Sequence, residues 1–382
     1  MEKFSAYRDP GTGIQPFLTP IPPPNPNGKV FSTLLLPLGY IIGVARSTLI
    51  MFFLVAYVVI VHGVFSVFLL LPPIHRIATG VVTSILCRSV LFLLGLFWIP
   101  VEIVSRKRSR NHAPKGSWNP VAGDIIVSNW ASWIELLWLA FRFNPIFVLP
   151  APDSAVVHSD PSAQPTAITH TPGRRTGTGS ANIASTTRTS TPQIAINGFY
   201  PVSLLTMISR CGNTPPYSIP NTKPRTLEDI RWTAKQPIVL FPECTTSNGR
   251  GLMRFADVFN LPASVRGWNI YIICVRYDPP TAFTPTLSHS IPSNVLNPLL
   301  HMFSLTTSTA PLTMSVKLLA PSDSPSSPTF VASEVLGDSS KKDQLTEACA
   351  SLIAQIGKLK RMTMGWEDKS RFIEFYRGRR SS

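Results

Sequence analysis

The sequence predicts a membrane-anchored α/β domain, and three observations carry that prediction. Charged residues make up 14% of the 382 residues and hydrophobic ones 44%, whereas an average soluble protein is about 25% charged. The region from Phe31 to Val104 is mostly apolar, and from Asp124 onward short apolar runs alternate with helical spacing. A chain of this length can bury the core of one large domain or of two ordinary ones.

Residues 1–30, rich in proline and polar side chains, read as a disordered arm. The first apolar run begins too late, and without a cleavage-like site, for a signal peptide. Residues 31–105 read as membrane segments. Leu34 to Ala45, broken by Pro37 and Gly39, is too short to span and is expected along the interface. Leu49 to Leu71 is long enough to cross a hydrocarbon core of about 30 Å. Ile77 to Val104 contains Arg88, Pro100 and Glu102, so it either spans with Arg88 snorkelling or lies at the interface. The two runs make a hairpin. Arg46 before it and Arg106, Lys107, Arg108 and Arg110 after it outweigh His75 and Arg76 in the turn, which places both ends and residues 106–382 in the cytosol. His62 reads as a packed group in the first span.

Within residues 106–382 the periodicity predicts a strand at Ile125–Val127, a helix at Trp133–Phe143 and a strand at Ile146–Leu149. Residues 151–191 are dense in Ser, Thr, Pro and Gly and read as a disordered surface insertion. Helical spacing returns over Pro201–Arg210, stopped at Gly212. Thr226 and Asp229 form a capping box for a helix through Ala234, and Pro237 opens the next strand. Ile270–Val275 reads as a buried strand, Asp343–Leu359 as an amphipathic helix, and Lys369–Tyr376 as a last helix before a basic tail.

The net charge of +15 fits an anionic membrane surface, since the sequence carries no nucleic-acid-binding module. Five cysteines, at 87, 211, 244, 274 and 349, are odd in number and lack a Cys-x-x-Cys pair, which supports neither a disulfide framework nor a zinc site.

The densest group of chemically capable side chains follows the apolar run Ile238–Leu240. It reads Phe241, Pro242, Glu243, Cys244, Thr245, Thr246, Ser247, Asn248, Gly249, Arg250. Ligands of open α/β sheets lie just outside the carboxyl ends of the strands, and hydroxyls beside a cation suit a phosphate or an oxyanion. The same composition also makes an ordinary polar turn. The block resembles the Phe-Pro-Glu-Gly-Thr-Arg-Ser motif of the glycerolipid acyltransferase superfamily, with Cys244 for the glycine and Thr246 for the arginine. The resemblance covers about Asp124 to Val275 and implies a central mixed sheet flanked by helices. It also implies acyl-CoA as co-substrate with no other cofactor, a lysophospholipid acceptor, lysophosphatidate first, and an endoplasmic reticulum or lipid-droplet membrane.

In that family a His-x-x-x-x-Asp pair lies upstream of the glutamate loop, the histidine taking the acceptor's proton. Here Asn129 matches the residue before the histidine and Glu135 falls at the acid's spacing, but Trp130 holds the histidine position. An indole cannot accept that proton. Three readings stay open: Glu135 is the base, raised in pKa by Trp130, Trp133 and Trp138; another histidine reaches the site through folding; or the domain binds lipid without catalysis. Ser132 to Glu135 is also a capping-box pattern, a purely structural use of Glu135. The resemblance implies that Asn129, Trp130, Glu243, Thr245, Thr246, Ser247, Arg250 and Arg254 bind substrate, with Glu135 catalytic. The family's phosphate-holding arginine has no counterpart among Asn213 to Tyr217, which leaves Arg210, Arg250 or Arg254 for that charge.

Overall fold

The computed structural model of the protein describes residues 4–23, 26–65, 67, 71–106, 117–153, 191–220, 222–336 and 343–378. Its centre is one mixed sheet built from Val101–Val104 (β1), Ile125–Ser128 (β2), Ile146–Pro152 (β3), Ile196–Val202 (β4), Ile238–Leu240 (β5), Ile270–Tyr277 (β7) and Met314–Leu319 (β8). Gly251–Leu252 (β6) pairs apart from it with Lys360–Arg361 (β9). The spatial order is β1-β8-β7-β2-β5-β3-β4. The strands β7, β2, β5 and β3 run parallel, while β8 and β4 are antiparallel to β7 and β3. Strands buried on both faces read as continuous apolar runs, as β2 and β5 do, and β-branched side chains suit them.

Alternate residues of β2 feed two cores. Ile126, with Val239 and Ile273, faces helices Ile134–Phe143 (α3), Leu204–Arg210 (α4) and Leu299–Thr306 (α6). Ile125 and Val127, with Leu240 and Ile272, face Gln344–Gly357 (α8) and Ile230 of Leu227–Thr233 (α5). Each fully buried Leu or Ile contributes about 1.5–3 kcal/mol of hydrophobic stabilisation. The expected Thr226 cap forms, its side chain accepting from the Asp229 N–H, and Asp343 caps α8 by accepting from the Thr346 N–H. The helix expected from Pro201 begins at Leu204, because Pro201 and Val202 still pair with β3. Between β7 and α8, where the sequence reading placed no element, stand α6, β8 and the short helix Ser333–Leu336 (α7).

Several N-terminal expectations are corrected. The arm is no disordered tail over residues 4–23: Tyr7 and Phe17 are buried against Phe372 and Ile373 of the last helix, Trp366–Gly378 (α9). Asp9 accepts from the Thr363 N–H at 2.8 Å and its hydroxyl at 2.6 Å. Two aromatic anchors and one bonded carboxylate outweigh a proline-rich composition. The interfacial run at Leu34–Ala45 is part of one helix, Pro26–Tyr57 (α1), which passes through Pro37 and continues as a π-helical turn over Val58–Gly63. The apolar span accordingly lies at Leu35–Val61 rather than Leu49–Leu71, and a second helix of sufficient length and apolarity is Pro72–Leu93 (α2). Val101–Val104, assigned to the hairpin, is strand β1 of the domain sheet. Most of the 151–191 insertion lies outside the described residues, but Ala151 and Pro152 complete β3, and Thr191 is buried with its hydroxyl on Asp368.

The hairpin packs on the domain. On α2, Thr83, Cys87 and Leu91 are buried, Ser84 donates to the Phe141 carbonyl of α3, and Arg76 reaches the Lys235 carbonyl. Ile74, Ile77, Val81, Ile85 and Phe92 form the exposed opposite stripe. Arg88, read as snorkelling or interfacial, folds back onto the carbonyls of Leu96 and Phe97. The α1 helix meets α6 through two glycines. A Cβ at Gly43 would stand 2.6 Å from Thr307 Cγ2, and one at Gly39 would stand 2.8 Å from the Thr307 carbonyl oxygen. Arg46 then donates to the carbonyls of Thr306 and Ser308 at the end of α6. Gly43→Leu is expected to lever α1 off α6 and to cost about 2 kcal/mol, as overpacking does. Thermal melting in detergent micelles checks this, and an unchanged midpoint would refute the close seat.

Candidate functional site

The loops after β2 and β5 meet at the carboxyl edge of the sheet and are fastened to each other in both directions. Glu243 Oε1 accepts the Trp130 N–H at 2.8 Å, and the Ser247 N–H donates to the Trp130 carbonyl at 2.9 Å. Glu243 Oε2 accepts the Met253 N–H at 3.1 Å. The carboxylate is fully buried, and burial first raises its pKa to about 8, against those two backbone donors and Lys369, which lower it. Glu243 thus acts on the two loops rather than facing a cavity.

Each sequence-predicted residue has a definite place. Asn129 exchanges two hydrogen bonds with Val275, 3.0 Å from its Nδ2 to the carbonyl and 2.8 Å from the Val275 N–H to its Oδ1, tying β2 to β7. Trp130 is 1% exposed, stacks on Phe241 with centroids 5.0 Å apart, and donates its indole N–H to the Ser132 carbonyl. The Thr245 hydroxyl donates to the Asn213 carbonyl at 2.7 Å, and that of Thr246 to the His289 carbonyl at 2.6 Å. Ser247 Oγ accepts from the Gly249 N–H, closing the turn. Arg254 pairs with Glu367 at 3.1 Å. Arg250 is exposed, and its guanidinium makes no bond among the described residues.

Glu135 takes the structural role that its capping pattern allows. Its Oε1 accepts the N–H groups of Ala131 at 2.6 Å and Ser132 at 3.1 Å, and its Oε2 accepts the Tyr277 hydroxyl at 3.1 Å. Burial raises its pKa to about 8, with these donors opposing. A base needs a face open to the acceptor, and three donors already surround this one.

Cys244 adopts φ 59°, the left-handed region in which the motif's glycine carries no Cβ penalty. Burial pushes its thiol well above the usual range, which disfavours the thiolate.

Sequence reasoning missed the cation of the site. Lys369 of α9 is fully buried, and its Nζ donates to Thr245 Oγ1 at 2.8 Å, the Thr246 carbonyl at 2.6 Å and Thr246 Oγ1 at 3.3 Å. It reaches Thr246, the position at which the resembled motif has arginine. Desolvation lowers its pKa to about 7, with Cys211 and Glu243 opposing. A signal existed: Trp366, Lys369, Phe372 and Ile373 share one helical face, a lone cation on an apolar stripe.

Met253 and Arg254 line a cavity of about 410 Å³, and two further cavities border the hairpin helices. One of about 110 Å³, almost wholly apolar, lies between the hairpin and the domain, with Phe53, Leu86, Trp133, Leu205, Leu299 and Met302 in its wall. The other, of about 370 Å³, is rich in hydroxyls, including those of Thr281, Thr286, Ser304 and Thr307. The chain matches no protein-family model, no curated protein and no solved structure.

Proposed function

We propose that this protein transfers a fatty acyl group from acyl-CoA to the hydroxyl of a lysophospholipid, lysophosphatidate first, at a membrane surface. The observation that carries the proposal is the Glu243 loop, fastened to the Trp130 loop at the carboxyl edge of a parallel sheet, beside an apolar cavity shared with a hydrophobic helical hairpin. In the reaction the acceptor oxygen attacks the thioester carbonyl, its proton passes to a base, the new C–O ester bond forms and the C–S bond breaks. The CoA thiolate then takes up a proton. Preorganised donors near the tetrahedral oxyanion supply the largest single stabilisation in such reactions. The exposed stripe of α2 faces lipid, and the apolar cavity receives the acyl chain.

The test is full-length protein in phospholipid micelles with lysophosphatidate and labelled acyl-CoA of graded chain length. The expected result is ester product, with Leu205→Trp lowering kcat/KM for long chains about tenfold more than for short ones, roughly 1.4 kcal/mol of discrimination. Loss of activity on all chains equally would exclude the cavity as the acyl site.

A second reading, a lipid-binding protein that does no chemistry, is favoured by one observation. Trp130, Glu135, Glu243, Thr245 and Thr246 are all buried, and their polar groups already bond within the protein. It predicts lysolipid binding with no turnover above background.

A further inference from the structure

Two imidazoles outside every motif stack beside the joint of the two loops. His289 and His301 stack with ring centroids 4.8 Å apart and planes 22° from parallel. His301 accepts the Trp133 indole N–H at Nδ1, 2.9 Å away, and its Nε2 donates to the Thr286 carbonyl at 2.9 Å. An indole only donates, so both nitrogens of His301 are committed and neither is basic. Trp133 belongs to the wall of the apolar cavity and Thr286 to that of the hydroxyl-rich one.

His289 differs. Its Nε2 lies 2.6 Å from Asn297 Oδ1. The orientation of that amide is set by its Nδ2, which donates to the carbonyls of Ser209 at 3.0 Å and Cys211 at 2.6 Å, and by its Oδ1, which also accepts the Ser293 N–H at 3.1 Å. An oxygen facing Nε2 requires the proton there, which leaves Nδ1 as the basic nitrogen. Among the described residues no hydrogen bond engages it. The backbone of His289 spans the joint of the two motif loops: its N–H donates to the Ala131 carbonyl at 2.8 Å, and its carbonyl accepts the Thr246 hydroxyl at 2.6 Å.

We infer that His289 is the base of the site, its Nδ1 taking the proton of the acceptor hydroxyl as that oxygen attacks the thioester carbon, with Asn297 holding the tautomer and His301 the ring plane. The inference rests on the acyl-transfer reading. The electron pair of the O–H bond forms the new C–O bond, that of the C–S bond leaves on CoA sulfur, and the proton on Nδ1 passes to the thiolate. Burial lowers the pKa of His289 to about 4, with Asn297 opposing and Lys369 reinforcing, and His301 is lowered to about 3 by burial and by His289. The ring is therefore neutral across the physiological range.

The experiment uses the full chain in phospholipid micelles with lysophosphatidate and labelled acyl-CoA, comparing His289→Gln, His289→Asn and His301→Gln. The expected result is a kcat at least about 100-fold lower for both His289 variants, KM within about threefold, and less than a tenfold loss for His301→Gln. Wild-type kcat should fall in acid as the ring takes a proton, while Lys369, Glu135 and Glu243 on the same loops govern any change above about pH 7. His289 variants within threefold of wild-type kcat would overturn the inference while leaving acyl transfer standing. A wild-type chain that makes no ester removes the acyl-transfer reading, and this inference with it. Should neither variant melt cooperatively, Asn297→Asp decides: an acidic limb of kcat displaced to higher pH in that variant supports His289, whose Nε2 faces this side chain, and a limb that stays in place overturns the assignment.

Discussion

Lys369→Ala is expected to destabilise the protein by roughly 3 kcal/mol or more, the usual result of removing one partner from a buried charged network. Its ammonium has three donors, and all three meet oxygens of Thr245 and Thr246. Without them, two buried hydroxyls and a carbonyl lose a partner. For a chain of this size that loss corresponds to a fall of about 4 °C or more in the melting midpoint. Lys369→Met, which keeps the stem's volume, separates packing from charge and should recover part of the loss. An alanine variant melting within 1 °C of wild type would show that Lys369 does not hold the loop.

The second large effect is a dependence of stability on pH that Glu135→Gln should flatten. Glu135 has its folded-state pKa raised from 4.5 to about 8, chiefly by burial. The folded state therefore holds the proton more tightly than the unfolded chain, so this contribution is full below the unfolded value and is lost as pH rises through about 8. The expected fall from this one group between pH 5 and pH 7 is about 2 kcal/mol. Glu243 acts in the same direction over the same window. Lys369 acts in the opposite direction, its pKa lowered from 10.5 to about 7, and its gain on raising pH begins only near 7. Denaturant melts of wild type and Glu135→Gln from pH 5 to 7 test the assignment. Parallel curves would mean that the pH dependence comes from elsewhere. Glutamine keeps an acceptor for the Ala131 and Ser132 N–H groups, whereas Glu135→Ala leaves both unpaired.

The α/β frame was legible because its signals are local. The apolar runs of β2, β5 and β7, the Thr226 cap and the Asp343 to Leu359 periodicity each depend on one short continuous stretch of chain. The Glu243 loop was visible in the same way, and so was the back-bonding of Glu135. What stayed hidden depends on contacts between distant segments. Tyr7 and Phe17 order the arm only because Phe372 offers them a surface, and Pro37 is tolerated because α1 is clasped by α6. Lys369 and His289 carry no motif, yet folding brings both to Thr246. The partner of Arg254, Glu367 on α9, lies more than a hundred residues away and was equally hidden.

The seat of α1 on Thr307 and the cap that Arg46 places on α6 bear on how the molecule can be handled. An anchor joined by a linker can be cut away to leave a soluble head. Here the first helix is a wall of the domain, and α2 covers α3, so a truncation that begins after the hairpin would uncover Leu136, Leu137 and Met302 to water. Such a fragment should aggregate, and the smallest unit that folds includes the hydrophobic helices.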